Sequence, residues 1–90
     1  MDIETLFSII QSRKENAPEG SNTAKLFRKG LPRIAQKVGE EATEVVVAAL
    51  AQDDQRLIEE IADLTYHTLV LLSARGLTPA HVAAELENRH

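Results

Sequence analysis

Cysteine is absent from the 90 residues. This excludes a disulfide framework and a thiolate zinc site, and it leaves oxygen or imidazole groups as the only side chains for a metal. A reducing compartment is compatible with that composition. Glycine and proline are scarce, at 4 and 3 residues, and no strand-like alternation, repeat or low-complexity tract is visible. Apolar residues recur instead at intervals of three and four, the spacing of helices. Long apolar runs are missing as well. The longest stretch without an acid, Lys or Arg extends from Leu64 to Ala74 and is interrupted by His67, too short for a membrane span. Residues 1–15 carry Asp2 and Glu4, unlike a secretory signal. A soluble, cytoplasmic protein is expected, with neither a membrane nor a nucleic acid as partner.

Acids are missing from residues 20–39, where Lys25, Arg28, Lys29, Arg33 and Lys37 stand, whereas residues 40–63 hold eight acids against the single base Arg56. The formal net charge of −4 hides this polarity. It is either a solvated charge pattern or a surface that holds a polyanion through a cation.

The reading is all-α: four main helices plus one short helix in a single domain, residues 1–90. The first helix is predicted from Asp2, a candidate cap, to Asn16, with Ile3, Leu6, Phe7 and Ile10 as its buried stripe. Ala17 to Asn22 break it. Ser21, Asn22 or Thr23 can cap a short helix ending near Lys29, and Gly30 with Pro32 marks a stop and a new first turn. The central element is an antiparallel hairpin of helices at about 32–51 and 54–75, capped by Asp53 or Asp54. Gly76 ends it, and Thr78 with Pro79 opens a last helix to about Asn88. So small a core gains stability when shared with a second copy, so a helical-bundle homodimer is expected.

Placing the acids on these helices at about 100° per residue sets Glu41 on the edge of a stripe containing Ile34, Val38, Val45 and Ala48. Glu60 stands in the same relation to Leu57, Leu64 and Leu71. Glu41 and Glu44, and likewise Glu60 and Asp63, are three apart, which puts each pair on adjacent turns with Cβ atoms about 5–6 Å apart. In an antiparallel hairpin centred on residue 52, Glu41 lies level with Asp63, Glu44 with Glu60, and Lys37 with His67. Two carboxylates about 5 Å apart repel by roughly 3 kcal/mol at an effective dielectric of 20, so four converging acids need protons or cations. An all-oxygen set without cysteine suits Mg²⁺ or Mn²⁺, and Mg²⁺ is commonly shared with the phosphates of a substrate. If the helices were rotated, the acids would merely face water.

The stretches KVGEEATEVVVAA, LIEEIADLTYHTLVLL and GSNTAKLFRKGLPRIAQ resemble the phosphoribosyl-ATP pyrophosphatases of histidine biosynthesis over about residues 5 to 90. The pattern EExxE followed by ExxD marks the wider all-α nucleoside triphosphate pyrophosphohydrolase (MazG-like) superfamily. S-x-TAKLF, KVGEE and DL-x-YH are more specific. Asn22 departs from the pattern, since many relatives carry an aromatic residue there, which bears on how the loop contacts base or ribose.

The resemblance implies hydrolysis of the α–β phosphoanhydride of phosphoribosyl-ATP to phosphoribosyl-AMP and pyrophosphate. It implies Glu41, Glu44, Glu60 and Asp63 as ligands of Mg²⁺, with a water made more acidic by the cation as nucleophile. Glu40 suits an outer-sphere or water-orienting role, or is an ordinary exposed charge. Lys37 either stabilises the leaving pyrophosphate or balances the acids in a salt bridge. His67 either contacts phosphate or moves a proton, or is a satisfied core residue donating to a carboxylate such as Asp63. Ser21, Thr23, Lys25, Arg28 and Lys29 are candidates for phosphate recognition. Gly39, inside a helix, suggests a close helix approach, and Tyr66 a packing residue. A phosphoribosyl-AMP cyclohydrolase, fused to this domain in many relatives, is a candidate partner. The competing readings are a housecleaning pyrophosphohydrolase of noncanonical or deoxynucleoside triphosphates, and a non-catalytic helical dimerisation module.

Overall fold

A short polar side chain or a glycine stands at the start of every helix. In the computed structural model, which describes residues 1–90, the order is α1 (Ile3–Asn16), α2 (Asn22–Lys29), α3 (Leu31–Ala51), α4 (Asp54–Ala74) and α5 (Pro79–Arg89), with no strand. The Asp2 carboxylate accepts the Thr5 N–H at 2.7 Å, the Ser21 hydroxyl the Ala24 N–H at 3.1 Å, and the Asp53 carboxylate the Arg56 N–H at 2.9 Å. Each bond satisfies a donor that helix geometry leaves without a partner. Of the candidate caps, Ser21 and Asp53 therefore hold the positions. Helix α3 starts one residue before Pro32, whose missing N–H costs nothing in a first turn. Helix α4 closes where Gly76 takes φ +72°, which lets Gly76 N–H reach Ser73 O at 3.1 Å and Leu77 N–H reach Leu72 O at 2.8 Å.

Helices α3 and α4 form the antiparallel hairpin, α1 lies along α4, and α2 packs on α1 and α3. Phe7, Ile10, Ile34, Leu69 and Val70 make the buried centre, with Leu26, Phe27 and Tyr66 packed around it. Ile34 and Val70, fully buried, are level in the register centred on residue 52. The hydrophobic centre and the acidic positions thus share one hairpin, stacked along its length.

Two expectations need correction. Ile3 is 44% exposed rather than buried, because it stands on the wall of an open groove between α1, α4 and α5. Gly39 has no close neighbour: a Cβ there would meet nothing within 4 Å, since that face of α3 is uncovered. Helix α5 buries none of its residues. Its Val82 and Leu86, with Ile3 and Phe7 of α1 and Leu69 and Leu72 of α4, line an apolar groove of about 1060 Å³.

The open surroundings of Gly39 carry a stability prediction. Gly39→Ala is expected to raise stability by up to about 1 kcal/mol through lower backbone freedom in the unfolded chain, read as an upward shift of the urea midpoint. A downward shift would show that a second surface closes on this face.

Candidate functional site

Glu41 of α3 and Glu60 of α4 are 7% and 5% exposed, an unusual degree of burial for glutamate. Together with the exposed Asp63 they form one cluster, each offering a carboxylate oxygen within 4.8 Å of the others. The hairpin register brings them together.

Each buried glutamate has a cation four residues earlier on its own helix. Lys37 Nζ lies 3.3 Å from Glu41 Oε1, and Arg56 Nη2 donates to Glu60 Oε1 at 2.6 Å. In both cases the second oxygen, Oε2, is buried and has no hydrogen-bond partner. A buried acceptor left this way costs about 1–3 kcal/mol, and more when charged. Two such atoms in one cluster fit an oxygen-preferring divalent cation, the class of ligand that carboxylates bind best.

His67 lies on α4 level with Lys37, its Nε2 3.9 Å from Glu41 Oε1, too far for a hydrogen bond. Its Nδ1 is buried without a partner. Burial first, and then the positive charge of Lys37, hold its pKa below the ordinary 6.5, outweighing the pull of Glu41, Asp63 and Glu40. The expected donation to Asp63 is absent from the hydrogen bonds formed. Glu40 is exposed and pairs with Arg33 Nη1 at 3.3 Å and with Lys37 Nζ at 3.9 Å. Lys37 is thus shared between Glu40 and Glu41.

Glu44 points to solvent and stands outside the cluster. Asp63 has the matching place on α4 and does join. Among the α2 candidates, Lys25, Arg28 and Lys29 are exposed and Ser21 is occupied in capping. The Thr23 hydroxyl is hydrogen-bonded to the Tyr66 hydroxyl, which ties the start of the basic helix to α4 next to His67. Tyr66 thus does more than pack. Arg56 escaped the sequence reading, although the i,i+4 spacing that links Lys37 to Glu41 is repeated from Arg56 to Glu60. The apolar groove beside α5 includes none of these acids.

An all-α domain with a buried carboxylate cluster across its central hairpin, and a basic helix tethered beside it, defines the class. Comparison with known sequences narrows it. The profile of the family described as "Phosphoribosyl-ATP pyrophosphohydrolase" matches residues 3–90. The chain is 53% identical to a phosphoribosyl-ATP pyrophosphatase of Sulfurisphaera tokodaii, over 97% of this chain and 93% of that one. It is 48% identical to the phosphoribosyl-ATP pyrophosphatase of Saccharolobus solfataricus, with the same coverage. A histidine biosynthesis bifunctional protein of Xanthomonas axonopodis pv. citri is 51% identical over 96% of this chain and 42% of its own length. The chain belongs to the phosphoribosyl-ATP pyrophosphohydrolase family of hydrolases.

The depressed His67 pKa gives a pH test on the metal-free protein. In the unfolded chain this imidazole takes a proton near 6.5, whereas in the folded one it does so only at lower pH. The unfolded state then binds more protons in the interval, and stability is lost as pH falls below 6.5 toward the folded value. His67→Gln should flatten this part of the curve of urea midpoint against pH. An unchanged slope would contradict a neutral, buried His67.

Proposed function

We propose that this chain hydrolyses the α–β phosphoanhydride of phosphoribosyl-ATP, releasing phosphoribosyl-AMP and pyrophosphate, the second step of histidine biosynthesis. The observation that carries the reading is the pair of buried glutamates, each with one oxygen unpartnered, in a chain of this family. Glu41, Glu60 and Asp63 would hold Mg²⁺, with Mn²⁺ able to replace it, and Glu44 would join from the edge of α3 by a change of rotamer. When bound, the cation supplies charge neutralisation for the phosphates and lowers the pKa of water.

The chain's own residues do the rest. Lys25, Arg28 and Lys29, with the hydroxyls of Ser21 and Thr23, draw in the polyphosphate, and the Thr23–Tyr66 bond holds their helix beside the acids. A water oxygen bonds to the α-phosphorus, the bond from that phosphorus to the bridging oxygen breaks, and its electron pair leaves with pyrophosphate. Glu40, at the solvent edge, takes the proton of that water. Lys37, within reach of both Glu40 and Glu41, donates to the departing phosphate. His67, neutral above its lowered pKa, can accept or return a proton next to Glu41.

We read residues 1–90 as one catalytic domain working in the cytoplasm; no helix is long and apolar enough to cross a membrane. A homodimer is part of the proposal. Only 10 of 90 residues are buried, while Val46, Val47, Leu50, Ile58 and Ile61 leave the hairpin's outer face apolar, more than a small monomer readily exposes. The bifunctional relative supports a phosphoribosyl-AMP cyclohydrolase, which would consume the product, as a working partner.

Pyrophosphate release separates the readings. Phosphoribosyl-ATP with Mg²⁺ should be hydrolysed far faster than ordinary, noncanonical or deoxynucleoside triphosphates. Preference for one of those would make this a housecleaning enzyme, and no release from any would leave a non-catalytic module. Glu41→Gln and Asp63→Asn are expected to lower kcat by more than about 100-fold, beyond the usual loss for outer-shell partners, with an unchanged helical circular dichroism spectrum. Sedimentation equilibrium should give twice the mass of the 9.9 kDa chain; a monomer at micromolar concentration would refute the dimer.

A further inference from the structure

Arg56 is the one base in an acidic stretch of two dozen residues, and no step above uses it. It sits in the first turn of α4, where Asp53 accepts its backbone N–H. Its guanidinium forks over two carboxylates at equal distance: Nη1 lies 2.6 Å from Glu59 Oε1, and Nη2 lies 2.6 Å from Glu60 Oε1. Glu59 is held from the other side by Gln55 Nε2 at 3.2 Å. The chain Gln55, Glu59, Arg56 and Glu60 thus closes on one of the two buried members of the acidic cluster. Glu60 Oε1 is engaged, and Glu60 Oε2 is left buried and unpartnered.

We propose that Arg56 is a positioning residue for the divalent-cation site: it holds Glu60 by one oxygen so that the other stays fixed for the ion. This rests on the metal-dependent reading of the cluster. Two effects of Arg56 on a nearby cation oppose each other. Its positive charge repels the ion, and its hydrogen bond immobilises the ligand. Glu59 decides between them. The carboxylate shared on the second prong offsets the charge of the guanidinium and leaves its bond to Glu60 intact, so repulsion is small and orientation dominates. The planar fork matters as well, because a lysine ammonium carries the same charge without two parallel donors. Lys37 and Glu41 repeat the arrangement on α3 at 3.3 Å. The two cations bracket the cluster, Arg56 toward the hairpin turn and Lys37 away from it.

The test is Mg²⁺ titration by calorimetry, with Mn²⁺ electron paramagnetic resonance as a second reading, on wild type, Arg56→Ala and Arg56→Lys. Arg56→Ala should bind either ion about 10-fold more weakly, the lower range for loss of an outer-shell partner, with wild-type helicity. Arg56→Lys should fall between the two. Turnover of Arg56→Ala should recover toward the wild-type kcat at saturating Mg²⁺, with the KM for nucleotide unchanged; failure to recover would mean that Arg56 acts on something other than the ion. Equal or tighter ion binding by Arg56→Ala, beside a wild type that binds normally, overturns the positioning role and leaves the enzymatic reading standing. A wild type that binds no ion overturns both.

Discussion

Two glutamates buried against each other across a helical hairpin constrain everything else in this molecule. At the roughly 5 Å typical of such pairs, their repulsion at an effective dielectric of 20 is about 3 kcal/mol, a large share of the 5–15 kcal/mol that holds a small domain together. The chain tolerates this because the hairpin is fixed elsewhere. Ile34 and Val70 meet at one level of it, and Ala48 is buried toward the turn, so the acids lie between apolar contacts that hold α3 and α4 together. Lys37 and Arg56 offset part of the charge through single oxygens, leaving the other two unpartnered. The remaining cost is stored at the site where an ion can relieve it, the usual place for local strain in a functional protein.

The polarity of the chain acquires a spatial meaning in the same frame. The basic stretch becomes α2 and the start of α3, and the acidic stretch becomes the middle of the hairpin. The hydrogen bond between Thr23 and Tyr66 closes the distance between them, since Tyr66 adjoins His67 and lies one turn from Asp63. On the proposed reading a polyphosphate meets lysines and arginines at one end and an ion held by carboxylates at the other. The basic helix needs this tether because its own apolar contribution is small: Ala24 is its only buried residue, with Leu26 and Phe27 resting on the core from outside.

Much of this was legible in the sequence, for physical reasons that also mark the limits. Helix ends were legible because a cap or a left-handed glycine is a local matter, decided by Asp2, Ser21, Asp53 and Gly76 within a few residues. The pairing of Glu41 with Asp63 was legible because a short connection fixes the register of an antiparallel hairpin. Glu44 stands apart from the cluster because register sets the height of a residue on its helix but not the direction of a long, flexible side chain. Ile3 and Gly39 were misread because their burial depends on which neighbours cover them, and α5 lies too lightly on α1 for periodicity to reveal. Arg56 was visible in spacing and overlooked in meaning: a base inside an acidic run reads as solvated charge until its partner proves to be buried.

The charges at the cluster also bear on how metal and substrate bind relative to each other. Glu41, Glu60 and Asp63 face Lys37 and Arg56, which are themselves shared with Glu40 and Glu59, so acids outnumber bases around the site before any ion arrives. On the proposed reading a divalent cation offsets that excess and gives a polyphosphate a positive centre to bind. The ion therefore favours the nucleotide, because without it the nucleotide meets only an excess of carboxylates. By linkage this coupling is reciprocal: whatever the nucleotide adds to the affinity for the ion, the ion adds to the affinity for the nucleotide. On that reading the ion is held most firmly while the nucleotide is bound.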